Sequence, residues 1–183
     1  MRWKTALERV VVKETLIVDG YNVIYAWPDL ARLKDTNLEH ARDKLIDVLA
    51  SYGAYKGYEV IVVFDAHSTP GTHTVYTTDS GVTVVFTSEG ETADSYIERT
   101  VYELIRQGVR VYVVTSDWIE QIVTLWAGAL RISARELLQS VNEAAATMQA
   151  EYVQSPKNYR RSELAARLNG DIAKRLDEMR RCR

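Results

Sequence analysis

The chain has 183 residues, of which 46% are hydrophobic and 26% are charged, and its formal net charge is −2. This length suits one domain with a small appendage and needs no disulfide staples to keep a buried core. Cys182 is the only cysteine and residues 1–14 carry no signal peptide or membrane span, so we expect a cytoplasmic protein with no membrane partner.

Charge is unevenly distributed along the chain. Residues 151–183 carry nine Lys or Arg and five Asp or Glu, a net charge of +4, which leaves −6 for residues 1–150. A basic tail can bind a polyanion such as RNA, although a solvated helix face explains the charge equally well. The predicted RNA contacts there are Lys157, Arg160 and Arg161. The predicted domains are residues 1–153 for the folded body and 154–183 for a basic amphipathic helical tail.

Short apolar runs alternate with helical patterns. The first predicted strand, Leu16–Val18, leads into a turn at residues 19–22, where Gly20 and Asn22 are expected to adopt a positive φ. Apolar residues at helical spacing then predict a helix over residues 37–55. The remaining predicted elements are a strand at 58–66, a loop or arm at 67–81, a strand at 82–86, a helix at 93–105, a strand at 109–115, a helix at 118–127, a short strand at 130–132, a helix at 134–152 capped by Ser133, and a last amphipathic segment in the tail.

This order of elements predicts an α/β fold with a central, mostly parallel sheet flanked by helices. Three acids, Asp19, Asp65 and Asp117, stand at the ends of apolar runs, and Asp94 stands where a predicted helix begins. Ligands in open α/β sheets bind at the carboxyl edge, where these acids would meet. Because clustered carboxylates repel one another, the pattern predicts a divalent cation. Oxygen ligands select Mg²⁺ or Mn²⁺, and a zinc-type His/Cys cluster is missing from the sequence.

Each acid also has an ordinary structural explanation. Asp19 could form a turn, Asp94 could favour a helix amino terminus, and Asp117 could cap a helix. The coincidence of four acids favours chemistry, with Asp19, Asp94, Asp65 and Asp117 predicted as catalytic and Asp19, Asp94 and Asp117 as metal ligands.

Further residues are candidates for contacts with RNA. Asn22 lies in the turn after Asp19, and Ser116 brings a hydroxyl to a helix amino terminus, where a phosphate can bind. Arg42 is a candidate phosphate contact, with a surface ion pair to Glu39 or Asp43 as the alternative. Tyr21, Tyr25 and Trp27 could stack on bases, although core packing is the commoner use of such aromatics.

Six motifs follow one another along the chain. They are Asp19-Gly20-Tyr21-Asn22-Val23-Ile24, Ala26-Trp27-Pro28-Asp29-Leu30, Val63-Phe64-Asp65-Ala66, Glu91-Thr92-Ala93-Asp94-Ser95-Tyr96-Ile97-Glu98, Thr115-Ser116-Asp117 and Ser133-Ala134-Arg135-Glu136-Leu137. In this order they resemble the YacP-like branch of the NYN domains over about residues 15–141. The resemblance implies a three-layer, PIN-like fold and a carboxylate-lined pocket that holds Mg²⁺ or Mn²⁺ and cuts single-stranded RNA.

The resemblance thus implies an endoribonuclease, with Asp19 and Asp94 in the positions of the family's catalytic acids. Similar members cut mRNA on the translating ribosome, which makes mRNA and the ribosome candidate partners. Two other classes of protein are alternatives: a catalytically inactive RNA- or ribosome-binding module, and a phosphotransfer or phosphatase domain. The second lacks the expected Asp-x-Asp pattern, because Tyr21 occupies its third position.

Overall fold

The computed structural model describes residues 13–65, 73–88, 90–115 and 128–154. These residues form a mixed sheet of six mostly parallel strands flanked by five helices, which confirms the predicted α/β architecture. The elements are β1 (Glu14–Asp19), α1 (Gly20–Ala26), α2 (Pro28–Thr36), α3 (Leu38–Lys56), β2 (Glu59–Phe64), β3 (Thr74–Thr77), β4 (Thr83–Phe86), α4 (Ala93–Arg106), β5 (Arg110–Val114), β6 (Ala129–Ile132) and α5 (Ala134–Gln154).

The strands are ordered β3-β4-β2-β1-β5-β6, and only the β3/β4 pair is antiparallel. The strand β1 lies between β2 and β5, with Val18 opposite both Val62 and Val114. The carboxyl ends of these three strands are therefore level. Since the chain leaves β1 toward β2 and later returns to its other side with β5, β1 stands at a topological switch point, the preferred place for a ligand.

Both faces of the sheet are covered. On one face, Ile17, Val63 and Val113 pack with Ile97 and Val101 of α4 in one hydrophobic cluster. On the other face, the alternate strand residues Leu16, Val18 and Val62 are fully buried as well. The helix α3 packs on this second face so closely that a Cβ at Gly53 would overlap the side chain of Val60. Burial on both faces is what the near-continuous apolar strands predicted.

The structure differs from the prediction near the start of the chain. Residues 19–22 are not an isolated turn, because two short helices, α1 and α2, follow β1 directly. Neither Gly20 nor Asn22 has a positive φ, so that prediction was wrong. Gly20 is required for space instead, since a Cβ there would overlap the ring of Phe64.

A second difference concerns residues 67–81, which were predicted as a loop or arm. Within this stretch, Thr74–Thr77 form β3, whose four residues are all exposed at the edge of the sheet. An exposed edge strand needs no buried apolar residues, so its sequence carries no burial pattern to detect.

The predicted cap of α5 is confirmed as a reciprocal capping box. The Ser133 hydroxyl accepts a hydrogen bond from the backbone N–H of Glu136 at 3.2 Å, and the Glu136 carboxylate accepts one from the backbone N–H of Ser133 at 2.8 Å. The chain falls into two compact units, residues 1–145 and 146–183, and only residues 146–154 of the second are described. The predicted domain division at 153/154 stays a prediction. None of the described helices is long and apolar enough to cross a membrane.

Candidate active site

Asp19 is the last residue of β1 and the N-cap of α1. Its carboxylate accepts a hydrogen bond from the backbone N–H of Asn22 at 3.0 Å. Because α1 begins at the very end of β1, this side chain is fixed at the carboxyl edge of the sheet. The structural role foreseen for Asp19 is thus present, and it holds the carboxylate in one orientation.

Three of the four predicted acids share one cleft. Asp19 reaches it from β1, Asp65 from the residue after β2, and Asp94 from the first turn of α4. The cleft has a volume of about 370 Å³ and is open to solvent. The residues that line it are Asp19, Tyr21, Asn22, Asp65, Thr92, Ala93 and Asp94.

The cleft disfavours negative charge. Burial raises the pKa of the Asp19 carboxyl to about 6, and the charges of Asp94 and Asp65 add to the rise, while the hydrogen bond from Asn22 opposes it. The pKa of Asp94 is also raised, first by burial and then by the charge of Asp65. A shared cation would remove this repulsion.

Asp94 does not cap α4. Thr92 is the N-cap, and its hydroxyl oxygen accepts a hydrogen bond from the backbone N–H of Ser95 at 3.2 Å. Asp94 stands in the first turn, where a negative charge interacts favourably with the helix dipole. The dipole helps to hold a charged carboxylate beside the cleft.

The donor set fits a hard divalent cation. Among the described residues, no group of three or more His, Cys, Asp or Glu side chains is arranged to hold a metal ion. Mg²⁺ does not require one, since it commonly binds through one or two carboxylates and completes its shell with water and substrate phosphates. Asp19 and Asp94 can supply those two carboxylates. Asp65 adds a third acid to the same cleft.

Two predicted contact residues have clear positions. Asn22 lines the cleft, and its backbone N–H is committed to Asp19. The guanidinium of Arg42 lies over the rings of Tyr21 and Phe86, with its Cζ atom 5.9 Å and 5.5 Å from the ring centroids. Arg42 forms no ion pair with the described acids, so the alternative of a surface pair with Glu39 or Asp43 was wrong.

The aromatic residues after Asp19 have different positions. Trp27 is 4% exposed, and its indole N–H donates a hydrogen bond to the carbonyl oxygen of Ala134 at 2.8 Å. Core packing is therefore the role of Trp27. Tyr25 is exposed, whereas Tyr21 lines the cleft.

The remaining predicted site residues belong to parts of the chain that the structure does not describe. Ser116 and Asp117 follow β5, and Lys157, Arg160 and Arg161 follow α5, all outside the described residues. The strand β5, the last described element before Ser116 and Asp117 in the sequence, pairs with β1 as far as Val114.

Sequence reasoning missed the ring of Phe86 as part of the site's surroundings. Phe86 stacks on Phe64 with 5.3 Å between the ring centroids, and Phe64 meets Tyr21 edge to face at 5.2 Å. The signal that could have found it was register, because Phe86 and Phe64 end neighbouring parallel strands and stand opposite each other.

Comparisons with known proteins agree with this geometry. The family model described as YacP-like NYN domain matches residues 16–181. The protein YacP of Bacillus subtilis (strain 168), described as uncharacterized, is 48% identical over 128 residues, which are 70% of this chain and 75% of that protein.

Crystal structures of Rae1 (YacP) from Bacillus subtilis have the same fold. The W164L mutant matches with a TM-score of 0.68 at 42% sequence identity, and the matched region covers 82% of this chain and 88% of the mutant chain. A second structure gives 0.66 at 40% identity, over 91% of this chain and 94% of its own. The chain therefore belongs to the YacP-like NYN domain family, a PIN-like family whose members are generally ribonucleases.

Proposed function

We propose that this chain is an Mg²⁺- or Mn²⁺-dependent endoribonuclease that cleaves single-stranded RNA. The observation that carries the proposal is the cleft that brings Asp19, Asp65 and Asp94 together at the carboxyl edge of the sheet. Nucleases of this fold class usually use divalent metals. When bound, such an ion neutralises phosphate charge and makes water a better nucleophile.

The chain's own residues supply the rest of the site. Asp19 and Asp94 would hold the ion, and we retain Asp117 as the third proposed ligand. Asp65 would complete the acidic wall, and its charge already raises the pKa of both cleft partners. The raised pKa values mean that this arrangement destabilises the empty cleft, which is typical of functional sites.

An RNA-binding module without catalysis is the alternative function. Its weakness is electrostatic, because three carboxylates in one cleft repel a phosphate unless a cation is present. A site built only for binding RNA would gain from fewer acids in this cleft. The acidic cleft therefore favours the catalytic proposal.

The finer proposal is that the substrate is mRNA, including mRNA on the ribosome, which would place the protein in the cytoplasm. It is supported by the family resemblance and by the +4 charge of residues 151–183, where Lys157, Arg160 and Arg161 are proposed RNA contacts. Comparing cleavage of one message, free and in translating ribosomes, tests it. Faster cleavage in translating ribosomes would support it, and faster cleavage of free RNA would contradict it.

The main experiment measures cleavage of an unstructured circular RNA with Mg²⁺, with Mn²⁺ and with EDTA. A circle has no ends, so only an endonuclease can open it. Cut ends should carry no 2′,3′-cyclic phosphate, since water and not the neighbouring 2′-hydroxyl is the attacking group. This end analysis separates the proposed activity from a contaminating metal-independent ribonuclease.

Asp19→Asn and Asp94→Asn are each expected to lower the cleavage rate by at least about 100-fold with the fold intact. Asp47→Asn is the matched control, because Asp47 is exposed on α3 and does not line the cleft. Circular dichroism checks that all variants fold. If the wild type leaves the circle uncut with either metal, and also with ribosomes supplied, the binding-module function replaces this proposal.

A further inference from the structure

Arg42 carries a charge that the described part of the fold does not neutralise. It lies on α3, and its Cζ atom is 5.9 Å and 5.5 Å from the ring centroids of Tyr21 and Phe86. Among the described residues, its Nε atom is buried and has no hydrogen-bond partner. A buried donor without a partner is energetically costly, and more so when it is charged, so this atom needs an explanation.

The rings beside Arg42 pack against one another. Tyr21, Phe64 and Phe86, here called the aromatic cluster, contact one another at centroid distances of 5.2 Å and 5.3 Å. Phe64 is fully buried and immediately precedes Asp65. The guanidinium therefore lies over two rings, Tyr21 and Phe86, that both pack against the buried Phe64, and cation–π attraction favours this position.

The aromatic cluster also connects Arg42 to the acidic cleft. Tyr21 contacts the guanidinium and at the same time lines the cleft with Asp19, Asp65 and Asp94. The Tyr21 hydroxyl is buried and likewise has no hydrogen-bond partner among the described residues. Arg42 and Tyr21 are thus neighbours that each carry an unsatisfied buried polar atom, and Tyr21 also lines the cleft.

The hydrogen-bond donors of these two side chains indicate which ligand they would suit. A planar guanidinium forms paired hydrogen bonds with phosphate, and a neighbouring phenol can donate a third. The ligand must also come close to three acids, which suits a phosphate chain whose neighbouring phosphate is neutralised by a cation. A single-stranded RNA is such a chain. One of its phosphates would lie at the acids with the cation, and the next phosphate would lie at Arg42.

We propose that Arg42 binds an RNA phosphodiester that flanks the scissile one, and that the aromatic cluster holds its guanidinium in place. Arg42 is then a positioning residue, which fixes the register of the strand relative to the acids. The chemical identity of the ligand rests on the proposed function. The test measures binding, so that the two proposals can fail separately.

The experiment scans a short oligoribonucleotide with methylphosphonates. Each variant oligonucleotide replaces one charged phosphodiester by a neutral one, and binding is measured by fluorescence anisotropy with Ca²⁺ in place of Mg²⁺. Gel analysis confirms that the RNA stays intact. Wild type, Arg42→Gln, Arg42→Lys and Arg106→Gln are compared. Arg106 is the matched control, since it is stacked on Tyr102 at 5.5 Å, at the far end of α4 from Asp94.

At one phosphate position, the neutral substitution should weaken wild-type binding by about tenfold and leave Arg42→Gln binding unchanged. Arg42→Gln should also reduce the magnitude of the slope of log K against log salt concentration by about 0.7, the value for one phosphate contact on a single strand. Arg42→Lys keeps the charge but not the planar fork, so the same position should still respond, by less than in the wild type. Arg106→Gln should behave as the wild type at every position.

The proposal is overturned if no position loses its effect in Arg42→Gln, or if Arg106→Gln produces the same change. If Arg42→Gln does not fold, the Arg42→Lys scan decides: a response equal to that of the wild type at every position overturns the proposal. Phosphate-specific coupling to Arg42 in a protein that cuts no RNA would uphold this inference and reject the nuclease function. RNA cleavage without phosphate-specific coupling to Arg42 would uphold the nuclease function and reject this inference.

Discussion

The carboxylate of Asp19 accepts a hydrogen bond from the backbone N–H of Asn22 at 3.0 Å, so one side chain both caps α1 and lines the acidic cleft. Asn is about as good an N-cap as Asp. The substitution Asp19→Asn therefore removes the charge and keeps the cap. The variant therefore measures how much the charge of Asp19 lowers the free energy of unfolding, without a change in the capping of α1.

We predict that Asp19→Asn is more stable than the wild type at neutral pH without divalent cations. The pKa of Asp19 rises from 3.8 to about 6 on folding, so the folded state binds this proton more tightly. The wild type should lose stability relative to the variant as the pH rises from about 4 to about 6, and the gap should stay constant above that. Because Asp19 is only partly buried, the gap should be roughly 2 kcal/mol. Urea unfolding in EDTA across this pH range measures it, and parallel stability curves for the two proteins would refute the prediction.

Divalent cations should reverse this order. Mn²⁺ or Mg²⁺ binds the folded wild type and should raise its melting temperature at about pH 8, with a much smaller effect at about pH 5, where Asp19 is protonated. Asp19→Asn should show little shift at either pH. Thermal melts with increasing metal concentration provide the measurement. Equal shifts in both proteins would place the bound metal elsewhere.

Gly20→Ala should destabilise the fold by about 1–3 kcal/mol, because the added methyl group overlaps the Phe64 ring in a packed core. The adjacent Asp19 carboxylate should be displaced, so cleavage should also fall. Gly57→Ala is the control: Gly57 has a φ of 76° and open space around it, so its cost of about 1 kcal/mol is purely conformational. Denaturant unfolding and RNA cleavage are measured for both, and a Gly20→Ala variant with wild-type stability and activity would show that the space is not needed.

Trp27→Phe should lower the free energy of unfolding by about 1–3 kcal/mol with little change in RNA affinity. The indole N–H that bonds the Ala134 carbonyl at 2.8 Å is lost, which leaves a buried acceptor without its donor. Chemical denaturation and anisotropy titrations separate the two effects. A large loss of RNA affinity at unchanged stability would mean that Trp27 contacts the substrate.

Most of the sheet could be predicted from the sequence, because the apolar runs of β1, β2, β4 and β5 are buried on both faces and leave a strong signal. The helices α3, α4 and α5 were found from the periodicity of their apolar residues, and the start of α5 also from its cap, Ser133. The helices α1 and α2, with 7 and 9 residues, are too short for a clear period. The strand β3 is exposed throughout and has no apolar pattern.

For the site, the positions of Asp19, Asp65 and Asp94 followed from parallel strands that share one edge. The position of the Arg42 guanidinium could not be predicted from the sequence. It depends on Phe86, a residue 44 positions away in a neighbouring layer of the fold. The reason for Gly20 was also hidden, since a close approach to Phe64 depends on packing and leaves no local sequence signal.

Asp19 and Asp94 are proposed to bind one divalent cation together. Electron paramagnetic resonance of free Mn²⁺, titrated with protein at neutral pH, tests it without any RNA. We expect the wild type to remove the free-ion signal and Asp47→Asn to match it. Asp19→Asn and Asp94→Asn should each weaken Mn²⁺ binding by at least about tenfold. Equal Mn²⁺ affinity in the wild type, Asp19→Asn and Asp94→Asn would contradict it.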